Sequence, residues 1–176
     1  KLSLVFGIYL IDEKTESVDE MYERANTAKR TIGENVYNVC KFYDEALREK
    51  ILQEKTIEDE MVYALADRQF TMYLQPKFSL QTGELAGAEA LVRWIHPVKG
   101  LIPPMHFIPL FERNGFVKEV DKYIWKLACK FLAERKKAGD KLFPISVNVS
   151  RIHMEDNAFI DELILLTRKY DIDAKY

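Results

Sequence analysis

Cysteine is scarce in this chain: only Cys40 and Cys129 occur among 176 residues, and they form no Cys-x-x-Cys pair. That argues against a disulfide framework, and the expectation is two reduced, buried thiols in a reducing compartment. Excess charge is missing as well. Lys and Arg number 26 against 28 Asp and Glu, a net charge of −2, which provides no electrostatic footprint for a nucleic-acid polymer. No apolar run approaches the ~20 residues of a membrane span and no secretory signal opens the chain, so a cytoplasmic location is expected, with any membrane tether left to sequence before Lys1. There is no glycine-rich phosphate loop, no Gly-x-Ser-x-Gly elbow and no zinc spacing. His96, His106 and His153 fall on expected loops or helix starts, which makes them surface or capping residues.

What is present is an ordinary globular composition, 48% hydrophobic and 31% charged. Leu2 to Ile11 is a β-rich run. Ser17 with Glu20 forms a capping box, and Val18, Met21, Tyr22, Ala25 and Ala28 follow at helical spacing towards Gly33. "NVYNVC" predicts a short strand. Tyr43 to Arg68 has neither Gly nor Pro and alternates Glu, Lys, Leu and Ala, which predicts a solvated helical connector. Thr56 with Asp59 is positioned to cap a restart within it. The grammar then changes. "QFTMYLQPKFSL" and "LAGAEALVRW" flank the turn "QTGE", a connection so short that the two strands must be antiparallel.

A proline-rich loop follows, then a helix carrying Phe107, Ile108 and Phe111 and closed by Gly115. A longer helix turns Val120, Ile124, Leu127, Ala128, Phe131 and Leu132 inward and ends near Gly139. The strand "FPISVNVS" and a last helix burying Ile160, Leu163, Ile164 and Thr167 complete the chain. From Glu89 onward the order strand, helices, strand, helix predicts a parallel α/β sheet covered by helices.

The chemistry concentrates where charge enters a strand. Alternation puts Glu89, Leu91 and Arg93 on one face and Ala88, Ala90, Val92 and Trp94 on the other. The strand "FPISVNVS" repeats the pattern, with Ser146, Asn148 and Ser150 opposite Ile145, Val147 and Val149. Buried charge needs a partner. A carboxylate and an amide oxygen suit Mg²⁺ or Mn²⁺, and a guanidinium suits a phosphate. In a parallel α/β sheet such groups converge at the carboxyl ends of the strands. Two structural readings stand beside this one: an internal Glu89–Arg93 ion pair, and an Asn148 that only bonds neighbouring backbone. Gln75 is less well placed, because an ideal two-residue turn at Thr82-Gly83 pairs it with Ala90, opposite Glu89's face. A bulge near Gly87 would be needed to bring it across.

Taken together, "YLQPKFSLQTGELAGA" followed by "EALVRW", "HPVKGLIPPMHFIPLFERNG" and "SVNVS" resembles the EAL-domain family of cyclic-di-GMP phosphodiesterases over about residues 57–176. Upstream, "GIYLID…MYERANTAKRTIGENVYNV" resembles the end of a GGDEF domain, and "FYDEALREKILQEKTIEDEMVYAL" the usual connector. The implied organisation is 1–40 as a GGDEF-like end, 41–56 as helical connector and 57–176 as the first part of an EAL domain. With no flexible linker between them, the two domains are expected to move as coupled bodies.

The resemblance implies a modified (β/α)₈ TIM-like barrel with an antiparallel first strand. It also implies hydrolysis of one phosphodiester bond of cyclic-di-GMP with Mg²⁺ or Mn²⁺. On this reading Glu89 is a catalytic metal ligand, Asn148 a second metal ligand, Arg93 a contact to substrate phosphate, and Leu91 and Gln75 walls of the substrate pocket. The partners implied are cyclic-di-GMP, a homodimer through the barrel and a sensor domain upstream. The family's other carboxylates, paired aspartates and catalytic lysine belong to later strands. The chain reads as an internal part of a longer protein and is expected to be inactive alone. A catalytically inert cyclic-di-GMP receptor is the alternative function, and an unrelated metal-dependent barrel enzyme acting on a sugar phosphate a more distant one.

Overall fold

A computed structural model describes residues 4–11, 17–32, 40–155 and 158–176, and the chain divides into two compact units, Lys1–Thr56 and Ile57–Tyr176. In the first, strand β1 (Phe6–Tyr9), helix α1 (Val18–Arg30) and strand β2 (Cys40–Tyr43) form a parallel βαβ unit, with Phe6 opposite Cys40 and Tyr9 opposite Tyr43. Ser17 caps α1 by accepting the Glu20 N–H at 3.2 Å. Only half of the capping box forms, because the Glu20 carboxylate pairs with Arg24 one turn on. Arg24 also lies over the Tyr9 ring at 5.0 Å and donates to its hydroxyl at 2.6 Å. The expected helix end at Gly33, and most of the strand expected at "NVYNVC", lie outside the described residues. The described strand runs on to Tyr43, into sequence read as connector. Cys40 is exposed and not buried; among the described residues β2 pairs with β1 alone.

Helix α2 (Glu45–Ala66) is continuous. The restart expected at Thr56 is absent: its hydroxyl bonds the Leu52 carbonyl at 2.8 Å within the helix and caps nothing.

The second unit is built on a long antiparallel hairpin, β3 (Phe70–Phe78) and β4 (Leu85–His96). Strand β3 occupies one edge of β4 along its length. The other edge is shared between β5 (Gly100–Ile102), antiparallel at the Trp94–His96 end, and β6 (Ile145–Val147), parallel at Ala88–Ala90. The segment expected as a proline-rich loop thus contains β5, since a three-residue strand beside Pro97 and Pro103 carries no periodicity of its own.

Helices α3 (Pro104–Asn114) and α4 (Val117–Lys137) cover one face of the sheet. Gly115 at φ 83° supplies the left-handed residue that ends α3. Phe70, Trp94, Phe107 and Phe111 interlock there, with Phe70 and Trp94 centroids 5.0 Å apart and Phe107 and Phe111 5.3 Å. Each is at most 1% exposed, and full burial of one such side chain contributes about 1.5–3 kcal/mol. In α4 the buried stripe includes Trp125 and Cys129, while Leu127 and Phe131 are only partly buried. Burial pushes the Cys129 thiol pKa up.

After β6 a 3₁₀ turn (Arg151–Glu155) leads to α5 (Ala158–Lys169). The interior predicted for α5 forms only in part, with Leu163 and Thr167 half-buried. Ile160 and Ile164 are exposed and no residue of the helix is fully buried, because among the described residues it packs against α4 on one side only.

Candidate functional site

The face of the sheet away from α3 and α4 carries the polar side chains. Ala88, Ala90 and Trp94 are buried on the helix side, and Glu89, Leu91 and Arg93 are half-buried on the other. Pleating alone produces this division, and the helices decide which half is covered.

Pairing across the hairpin places Gln75 opposite Glu89, Tyr73 opposite Leu91 and Thr71 opposite Arg93. Directly opposed residues share a face. This corrects the register expected from an ideal turn, in which Gln75 opposes Ala90. The turn is wider, closed by Ser79 N–H to Glu84 O at 2.9 Å. The register then shifts between Lys77 and Phe78, whose partners are Gly87 and Leu85, so Ala86 is the extra residue of a bulge. That one insertion turns Gln75 from the helix face to the Glu89 face.

Gly87 has a separate task, since a Cβ there would stand 2.8 Å from the Pro144 carbonyl oxygen. The same oxygen accepts the Ala88 N–H at 2.9 Å, so the missing side chain lets the segment leading into β6 close on β4.

Glu89 is not paired with Arg93. Its Oε2 is 3.3 Å from Lys77 Nζ, and that ammonium also donates to Ser146 Oγ at 2.7 Å. Ser146 lies opposite Glu89 in the parallel pairing and itself donates to the Ala88 carbonyl at 3.3 Å. Arg93 lies over the Tyr73 ring at 5.5 Å, donates to the Val92 carbonyl at 2.8 Å, and meets no carboxylate among the described residues. Its positive charge is therefore directed over the polar face without a local neutralising anion.

Asn148 is two residues beyond Ser146 on the same alternation, just past the end of β6, with its side chain exposed. Its backbone carbonyl accepts the Trp125 indole N–H at 3.0 Å. Glu89 thus lies within β4 opposite the middle of β6, and Asn148 follows just past the carboxyl end of β6. In kind, a carboxylate and an amide oxygen fit a hard divalent cation. In number they form only part of a coordination shell, and the described residues contain no cluster of three or more His, Cys, Asp or Glu able to hold a metal.

Two residues were misjudged or missed. His153 is no surface residue: it is 3% exposed, with Nε2 3.1 Å from Asp121 Oδ2. Asp121 also accepts the Ser150 N–H at 3.1 Å. Burial pushes the Asp121 carboxyl above the usual carboxylate range, against the opposing pull of the Ser150 N–H and His153. A signal existed, since Asp121 interrupts the inward stripe of α4 between Val120 and Ile124, one turn before Trp125. His96 does cap, its Nδ1 accepting the Val98 and Lys99 N–H groups at 3.0 Å. Among the described residues no helix is long and apolar enough to cross a membrane.

A mixed sheet with helices on one face, and a carboxylate and a guanidinium on the other, defines an α/β domain. Residues 58–175 match the model of the EAL domain, and the chain belongs to the EAL-domain family. Cyclic di-GMP phosphodiesterase NbdA of Pseudomonas aeruginosa is 31% identical over 157 residues, which is 89% of this chain and 20% of that protein. Cyclic di-GMP phosphodiesterase PdeL of Escherichia coli is 41% identical over 87 residues, 49% of this chain and 24% of PdeL. The chain therefore spans about a fifth of the length of such relatives.

Among solved structures, the PaMucR phosphodiesterase in complex with c-di-GMP superposes with a TM-score of 0.62 at 28% identity, covering 66% of this chain and 47% of that one. The Xanthomonas citri FimX EAL domain in complex with c-di-GMP has a TM-score of 0.57 at 26% identity, covering 73% and 48%.

Proposed function

We propose that the protein carrying this chain hydrolyses cyclic-di-GMP to the linear dinucleotide in a divalent-metal-dependent reaction, within a modified (β/α)₈ barrel whose first strand is β3. The single observation that carries the reading is the shared polar face of Gln75, Glu89, Leu91 and Arg93 beside Asn148, in a chain whose relatives include named cyclic di-GMP phosphodiesterases.

Glu89 and Asn148 would hold Mg²⁺ or Mn²⁺. When bound, such an ion supplies charge stabilisation for the phosphodiester and a water of lowered pKa. Arg93, fixed over Tyr73, binds a substrate phosphate and orients it. Leu91 and Gln75 form the wall against which the rest of the dinucleotide lies. A carboxylate and an amide fill only part of a coordination shell, so further ligands and a proton-transfer group would have to join them. The test is direct: the complete protein, given cyclic-di-GMP and Mn²⁺, is expected to release the linear dinucleotide. Tight binding with no turnover would replace the enzyme with a receptor.

Lys77 supplies a second check. Its ammonium rests on Glu89, so a metal must displace it. An exposed pair of this kind is worth about 0.2–1 kcal/mol, and Lys77→Met is expected to tighten Mn²⁺ binding about 1.5- to 5-fold by calorimetry. Unchanged or weaker binding would show that Lys77 does not compete for Glu89.

A further inference from the structure

Asn148 lies outside β6, with no strand ladder to hold it, and yet its surroundings are heavily constrained. Trp125 donates its indole N–H to the Asn148 carbonyl at 3.0 Å. Two residues on, the Ser150 N–H donates to Asp121 Oδ2 at 3.1 Å, and the same oxygen is 3.1 Å from His153 Nε2. Asp121 and Trp125 are one turn apart on α4 and so project from the same side of that helix. His153 packs its ring 5.0 Å from Trp125 and 5.9 Å from Phe159. The Asp121 side chain is 14% exposed and the His153 side chain 3%.

Burying a carboxylate and an imidazole is costly unless they are well satisfied, and here neither points onto the polar face of the sheet. The indole and the carboxylate hold backbone groups on both sides of Val149, and the imidazole braces the carboxylate. The indole fixes the peptide that follows Asn148, and the carboxylate fixes the peptide that precedes Ser150. With both peptides held, the exposed Asn148 amide keeps only its own side-chain rotations.

We propose that Asp121, Trp125 and His153 are positioning residues that lock the Asn148–Ser150 backbone and thereby aim the Asn148 amide oxygen at a divalent cation. This rests on the reading of Asn148 as a metal ligand. The device separates rigidity from chemistry. Helix α4, anchored in the aromatic core, transmits its position to a ligand on a segment that would otherwise be a free loop.

The test titrates Mn²⁺ by calorimetry, without nucleotide, into the complete protein and its variants, each held well below its own melting temperature. Trp125→Phe keeps a ring but loses the indole donor, and Asp121→Ala removes the anchor for Ser150. Partners that orient metal ligands cost 10- to 100-fold in affinity when lost, so each variant is expected to weaken Mn²⁺ binding about tenfold. Asp121→Asn is expected to recover affinity to within about threefold of the parent, because its Oδ1 can still accept the Ser150 N–H.

Asn148→Ala is the reference. If it weakens binding while Trp125→Phe and Asp121→Ala stay within about twofold of the parent, the positioning role falls and the ligand reading stands. If Asn148→Ala itself changes nothing, both fall. Lower melting temperatures with unchanged Mn²⁺ affinity would likewise reduce the network to simple packing. Should Asp121→Ala fail to fold, Trp125→Phe decides alone.

Discussion

Glu89→Ala in the complete protein is expected to abolish hydrolysis of cyclic-di-GMP while leaving the domain folded. Loss of residues that only orient metal ligands costs 10- to 100-fold, so removal of a direct ligand is expected to cost more than about 100-fold in turnover. The fold survives because Glu89 is only half-buried and its ion-pair partner among the described residues, Lys77, is half-exposed with Ser146 still within reach. The cost to stability is therefore expected to stay within about 1 kcal/mol, the ceiling for an exposed pair. Chromatographic assay of the linear dinucleotide, with a urea melt alongside, checks both halves. Turnover within about tenfold of the parent would remove Glu89 from the metal site, whatever became of the rest of the proposal.

The largest expected effect on stability lies on the opposite face of the same strand. Trp94 is fully buried, tilted against Phe70 at 5.0 Å and edge-on to Phe107 at 5.7 Å. Its indole N–H donates to Gln69 Oε1 at 3.0 Å. Trp94→Ala leaves a cavity among three phenylalanines, and such truncations cost about 3–5 kcal/mol. Domains of this size are stable by about 5–15 kcal/mol in all, so the variant is expected to unfold at much lower urea with an unchanged slope. A cost below about 1.5 kcal/mol would mean that the aromatic cluster collapses to fill the space. Trp94 stands on the face of β4 opposite Glu89, so the two predictions test the two faces of one strand independently.

Much of this was written locally. The Ser17 cap, the Gly115 helix end, the hairpin and the split of β4 into an apolar and a charged face all follow from neighbours within a few residues, where periodicity and turn chemistry act. Arg93 and Glu89 were legible as anomalies for the same reason, since charge on a half-buried strand violates the pattern around it. The outward-facing Ile160 and Ile164 on α5 mark the limit of that method. Helical spacing identifies an apolar stripe, but only a packed neighbour buries it.

The sequence by itself determined the strand–helix order apart from β5, the residues that share a face within each strand, and the family motifs that contain Glu89, Arg93 and Asn148. It did so because alternation, capping and motif spacing are properties of contiguous chain. Only the tertiary structure decided the rest. The bulge at Ala86 sets Gln75 across from Glu89. Lys77, and not Arg93, is the cation resting on Glu89, because the hairpin register and the arrival of β6 bring together groups far apart in sequence. His153 is buried against Asp121 for the same reason. Register is specified by a whole sheet packing on its helices, and a one-residue shift exchanges the faces of every side chain in the strand.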